Sequence, residues 1–143
     1  MRTVRDDSGD RYLLVKRSSE ASLVRDPVTG EERYVENDRL EPAEGETPLE
    51  TAAGAVSPAV RRILTATHDD RSLGLLVELV DGGPIAVRDL LATYDLCESD
   101  MLGLLTEFRA AGLVEEATIA GERGYDATDL AREGVAALRS TRD

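Results

Sequence analysis

His68 is the only histidine and Cys97 the only cysteine in a chain of 143 residues, and those two residues bound the chemistry available. Metal sites built from clustered histidine and cysteine need more ligands than that. Asp69 and Asp70 adjoin His68, so a carboxylate site is one arrangement left, but sequential acids at a helix end are expected to face solvent. A Cys-His nucleophile pair would require Cys97 and His68 to meet in space. Cys97 is instead expected in a turn between two helices, as a small half-buried side chain. The glycines at 82, 83, 121 and 124 punctuate turns and do not form a phosphate-cradling loop. Paired carboxylates are frequent here only because acids are frequent. No catalytic residue, metal or cofactor is therefore expected, and the chain does not read as an enzyme.

Hydrophobic residues make up 41% of the chain, enough for a core, with Phe108 the only phenylalanine and tryptophan absent. That core must be mostly Leu, Val, Ala and Ile. Nothing approaches the roughly 18 apolar residues of a membrane span, and the start MRTVRDDSGD lacks the apolar heart of a secretion signal. A lone cysteine and no such segment point to a cytoplasmic protein. The formal charge is −12, with 29 acidic residues against 17 basic ones, of which only Lys16 is lysine. High acidity with almost no lysine resembles the proteins of salt-in halophilic archaea. At molar salt the Debye length is about 3 Å, so spread negative charge repels nucleic acid far less than in dilute buffer.

The chain divides into a β-rich start (1–46) and a helical remainder (47–143). Arg11–Arg17, RYLLVKR, reads as a strand. Two further runs flank Asp26-Pro27-Val28-Thr29-Gly30, whose residues favour a bulged hairpin turn. Leu23 and Val24 are expected opposite Tyr34 and Val35, in an antiparallel sheet of two or three strands. Residues 37–46 carry Pro42 and Gly45 and read as an acidic loop. Thr47-Pro48-Leu49-Glu50 is a capped helix start, predicting a helix over 48–56. Ser57-Pro58 repeats the signal and predicts a second helix to about His68, with Val60, Ile63, Leu64 and Thr67 as its buried stripe.

SLGLLVELVDGG predicts a helix ending at Gly82-Gly83, and Pro84-Ile85-Ala86 a short extended segment. VRDLLATYDL follows as a helix with Leu90 and Leu91 inward. After a turn at Cys97-Glu98-Ser99 comes a third helix, with Ser99 as its cap and an apolar surface of Met101, Leu102, Leu104, Leu105 and Phe108. Gly112 ends it. Two strands, 113–119 and 125–127, flank a loop at 120–124, and Thr128 caps a last helix from Asp129 to about Arg139.

From about Arg71 to Arg139 this order resembles the winged helix-turn-helix domains of small prokaryotic transcription regulators, especially short ones from halophilic archaea. The matching pieces are Ala110-Ala111-Gly112-Leu113-Val114-Glu115, the tight loop at Gly121–Gly124, and Tyr125-Asp126-Ala127-Thr128-Asp129-Leu130-Ala131-Arg132-Glu133-Gly134. One departure is Ala86, where such domains usually offer a Ser or Thr cap; the loss costs about 1 kcal/mol unless Asp89 compensates. The resemblance implies an α+β fold: a winged helix-turn-helix domain preceded by a small β-hairpin region and two short helices. It further implies that the third helix enters a major groove of double-stranded DNA.

On that implication Ser99, Asp100, Gly103 and Thr106 lie nearest the base edges, with Arg109 further along. Arg123 would be a wing residue reaching backbone or minor groove, and Arg88 a phosphate contact. Against it stand Glu98, Asp100, Glu107, Glu115 and Glu116 in the same segment, which offers one arginine and no lysine. Arg61-Arg62 are expected on a salt-bridged face. Apolar positions in the last helix, Leu130, Val135, Ala136 and Leu138, point to a homodimer. The expected function is a salt-adapted, sequence-specific transcriptional regulator. The alternative is a winged-helix module that binds a protein partner and not DNA.

Overall fold

Val4, Tyr12, Val24 and Val35, one from each of four successive strands, meet in one buried cluster in the computed structural model, which describes residues 1–140. Their strands are β1 (Arg2–Asp6), β2 (Arg11–Lys16), β3 (Ala21–Arg25) and β4 (Glu32–Glu36). Alternate residues of a strand share a face, so one apolar position in two builds a one-sided core. After a 3-10 turn at Asn37–Arg39, β5 (Leu40–Pro42) returns antiparallel to β1 and gives the order β4-β3-β2-β1-β5.

This sheet is larger than the sequence predicts. The first strand escapes notice because RTVRD interrupts its apolar positions with charge, and 40–42 because a proline reads as a breaker. Pro42 is tolerated because β5 is an edge strand. The hairpin at 26–30 forms as expected: Asp26 accepts from the Val28 amide at 2.8 Å, and Gly30 takes φ 75°. Leu23 does face Tyr34, but Val24 faces Arg33 and Val35 faces Ser22. Helix α1 (Pro48–Ala53) starts on the Thr47 cap, which accepts from the Glu50 amide at 3.1 Å, and stops three residues before Val56. It packs on β1 and β2, where Thr51 Oγ1 meets the buried Thr3 Oγ1 at 2.6 Å. By these contacts α1 belongs with the sheet, in a compact unit spanning Met1–Ser57, and a second unit begins at Pro58.

The second unit contains α2 (Pro58–Ala66), α3 (Asp70–Gly82), β6 (Ile85–Ala86), α4 (Val87–Thr93), α5 (Glu98–Ala110), β7 (Val114–Ile119), β8 (Glu122–Ala127) and α6 (Asp129–Arg139). Its core is continuous: Leu76, Leu79, Leu90, Met101, Leu105, Phe108 and Leu113 are fully buried. Its three strands run antiparallel in the order β6-β8-β7. With the sheet of the first unit, the chain is α+β.

Three local expectations need correction. On α2 the buried stripe is Ala59, Ile63 and Ala66, while Leu64 is 58% exposed. The decisive partner is α6, whose Gly134 lies against Ala59 and Ile63 and so selects the face of α2 that turns inward. On α3 the start lies earlier than Ser72: Asp69 caps it, accepting from the Ser72 amide at 2.9 Å in a capping box. On α5 the cap is Cys97, not Ser99, because the first helical bond runs from the Met101 amide to the Cys97 carbonyl at 3.0 Å.

The exit of α5 follows the reading closely. Gly112 has φ 75°, the Leu113 amide reaches the Phe108 carbonyl at 2.8 Å, and the Gly112 amide reaches Arg109 at 3.0 Å. This is the paired bonding of a glycine C-cap, which satisfies carbonyls the helix leaves open. Thr128 caps α6 as expected. Of the apolar residues of α6, Val135 is buried, Leu130 and Leu138 pack on the same core, and Ala136 is exposed.

Candidate functional site

Turn geometry decides where the basic residues of the second unit stand. Ala120 and Gly121 both have positive φ, 51° and 82°, and Ile119 pairs directly with Glu122. That is the two-residue turn whose twist matches flanking strands. Arg123 therefore sits within β8 and not at the tip of a loop flanked by glycines, correcting the sequence reading. Gly124 serves packing: a Cβ there would collide with Ile119 and with the backbone of β6 at Ile85 and Ala86.

Register then assembles a cluster. Thr118 faces Arg123 and Glu116 faces Tyr125, so Glu116, Arg123 and Tyr125 share one face of the hairpin. Arg109 arrives from the last turn of α5, where a cation complements the helix dipole. Its Nη1 donates to Glu116 Oε1 at 3.0 Å, and Arg123 Nη2 donates to the same oxygen at 3.4 Å. Arg123 also donates to the Tyr125 hydroxyl at 2.7 Å, its guanidinium 5.6 Å from that ring's centre. Two cations share one carboxylate, so the cluster keeps one positive charge in excess. Exposed pairs of this kind contribute about 0.2–1 kcal/mol, which makes Glu116 an exchangeable partner.

The remaining candidates stand apart from this cluster. Arg88 pairs with Glu122. Ser99, Asp100 and Gly103 line a shallow depression on α5 that they share with Asp69, Arg71 and Glu107. The acids outnumber the one arginine there. Ser99 Oγ lies 3.4 Å from Cys97 Sγ, and the Thr106 hydroxyl donates to the Leu102 carbonyl at 2.8 Å within its own helix. A Cβ on Gly103 would meet nothing within 4 Å, so no packing contact calls for glycine there.

The residues at 68–70 do not converge as a ligand set. Asp69 is committed to capping α3, and the Ser72 amide and hydroxyl hold its carboxyl below the usual range. His68 Nε2 instead meets Glu107 Oε2 at 2.9 Å. No group of three His, Cys, Asp or Glu side chains is placed to hold a metal ion among the described residues. Cys97 is exposed rather than half-buried. Arg62 Nη1 donates to the Ala111 carbonyl at 3.4 Å, beside the C-terminus of α5.

Two features escape sequence reasoning. Glu116 as the shared partner of Arg109 and Arg123 depends on a hairpin register that the exact turn sets. A cleft between α3 and the α4–α5 turn depends on packing alone.

No helix among the described residues is long and apolar enough to cross a membrane. No curated protein and no solved structure matches the chain. A model for a family of unknown function, DUF7346, matches residues 1–139, nearly the whole chain. The protein belongs to that family.

Proposed function

We propose that the unit beginning at Pro58 is a winged helix-turn-helix domain of a salt-adapted transcriptional regulator that binds double-stranded DNA. In this reading α4 and α5 are the helix-turn-helix pair, α5 enters the major groove, and β7–β8 is the wing. The observation that carries it is the convergence of Arg109 and Arg123, from the reading helix and the wing, on Glu116. Phosphate can replace a single exposed carboxylate at little cost. Gly103 supports the reading, since it leaves a flat place on the outer face of α5 where a backbone or base edge can approach closely. Homodimerisation and a cytoplasmic location belong to the same proposal, two copies presenting two reading helices.

Few phosphate contacts suit high salt. With two per protomer, four in the dimer, log K falls with log[KCl] at a slope of about −3.6, so a tenfold rise in salt costs roughly 4 × 10³-fold. Ten contacts would cost about 10⁹-fold over the same range. Selection from a randomised duplex library at about 0.5–2 M KCl, read by fluorescence anisotropy, tests the proposal. In the dimer Arg109→Ala and Arg123→Ala each remove two contacts and should each flatten the slope by about two units, and Glu116→Gln should tighten binding. Failure to enrich any duplex would sink the DNA reading.

One observation favours a second reading: the acidic surround of Ser99 and Gly103, formed by Asp69, Asp100 and Glu107. It suits a basic protein segment better than a phosphate. That reading expects no duplex selection and expects Glu107→Gln to weaken partner binding.

A further inference from the structure

We infer that the cleft between α3 and the turn leading into α5 is a binding site for a small organic cation with an aromatic or apolar body. The cleft is open to solvent on one side and has a volume of about 490 Å³, with Leu75, Val77, Tyr94 and Leu96 as its apolar lining. Small-ligand sites span about 300–1,000 Å³ and combine such a lining with a few convergent polar groups. Here the polar groups are Asp70, Glu78 and Asp95 against Arg71, an excess of negative charge. An apolar lining under an acidic rim complements a ligand that is apolar in body and positive in head.

Tyr94 suits that ligand. Its ring lines the cleft, where an aromatic face attracts a cation, and burial first, then the neighbouring Glu78 carboxylate, hold its phenol above the ordinary value. Gly74 is the independent observation. It lies inside α3 on the cleft wall, one helical turn from Arg71 and Glu78, and a Cβ there would meet nothing within 4 Å. Glycine in a helix interior is disfavoured by about 0.5–1 kcal/mol relative to alanine. At Gly134 a close helix crossing offsets that cost; at Gly74 only open cleft lies beyond.

The test is calorimetric titration of the full chain in 0.5 M KCl with benzyltrimethylammonium, and with benzoate and benzyl alcohol as anionic and neutral counterparts. The cation should bind at least about tenfold more tightly than either. Glu78→Gln should weaken it several-fold. Gly74→Leu fills space that is empty and removes a helix-interior glycine, so it should keep the fold by circular dichroism while abolishing binding. Absence of binding, equal binding of benzoate, or an unchanged affinity in Gly74→Leu would overturn the assignment. None of these readouts involves DNA, so the cleft and the DNA proposal stand or fall separately.

Discussion

Glu116 shows how one side chain changes the meaning of its neighbours. Arg109 and Arg123 are visible in the sequence as possible phosphate contacts, and the structure places them together on one carboxylate oxygen, at 3.0 and 3.4 Å. That partnership was not legible, because a one-residue change in hairpin register moves every side chain to the opposite face. Gly103 separates stability from binding at the same scale. With no neighbour to meet a new Cβ, Gly103→Ala should raise stability by about 0.5–1 kcal/mol, read by urea unfolding. If α5 lies in a groove, the same substitution should weaken binding to the selected duplex. A more stable variant with unchanged affinity would place the DNA elsewhere.

Among elements, the α2–α6 crossing is the tightest test of packing. A Cβ at Gly134 would fall 2.5 Å from Ile63 Cδ1 and 2.8 Å from the Ala59 carbonyl oxygen. Gly134→Ala should therefore destabilise the second unit by about 1–3 kcal/mol despite its better helix propensity, as chemical denaturation would show. The same crossing explains the misread stripe on α2. Leu64 is more hydrophobic than Ala59, yet Ala59 and Ile63 are the residues that the close approach of Gly134 covers. The Asp69 cap of α3 makes a pH prediction. Bonds from the Ser72 amide and hydroxyl hold its folded carboxyl below the ordinary aspartate range. A lowered carboxylate pKa adds stability that is full above the unfolded value and is lost as pH falls through the folded one. Asp69→Asn keeps a good cap without a titrating group. Unfolding midpoints of wild type and variant, compared at pH 7 and pH 3, should show a smaller acid loss in the variant.

For the whole molecule, charge is the governing quantity. With 29 acidic residues against 17 basic ones, self-repulsion opposes the compact state. Most of the ion pairs that oppose it are exposed, such as Arg139 with Asp81 at 2.6 Å and Arg5 with Glu41 at 2.7 Å, and contribute little each. Shortening the Debye length from about 10 Å at 0.1 M to about 3 Å at 1 M salt weakens both terms, and repulsion is the larger. The thermal midpoint should rise steadily between 0.1 and 2 M KCl. A flat or falling midpoint would count against adaptation to salt.

The amino-acid sequence by itself determined the helices of the second unit to within a few residues, the 26–30 hairpin, the Gly112 exit and the Thr128 cap. Each of these is a local matter, settled by periodicity, capping residues and the φ that only certain residues adopt readily. Tertiary structure alone decided which face of α2 is buried, the pairing of β5 with β1, the meeting of Arg109 with Arg123, and the cleft beside Gly74. Those features join residues far apart in the chain. Their energies come from packing, register and shared ion partners, which no local window of residues contains.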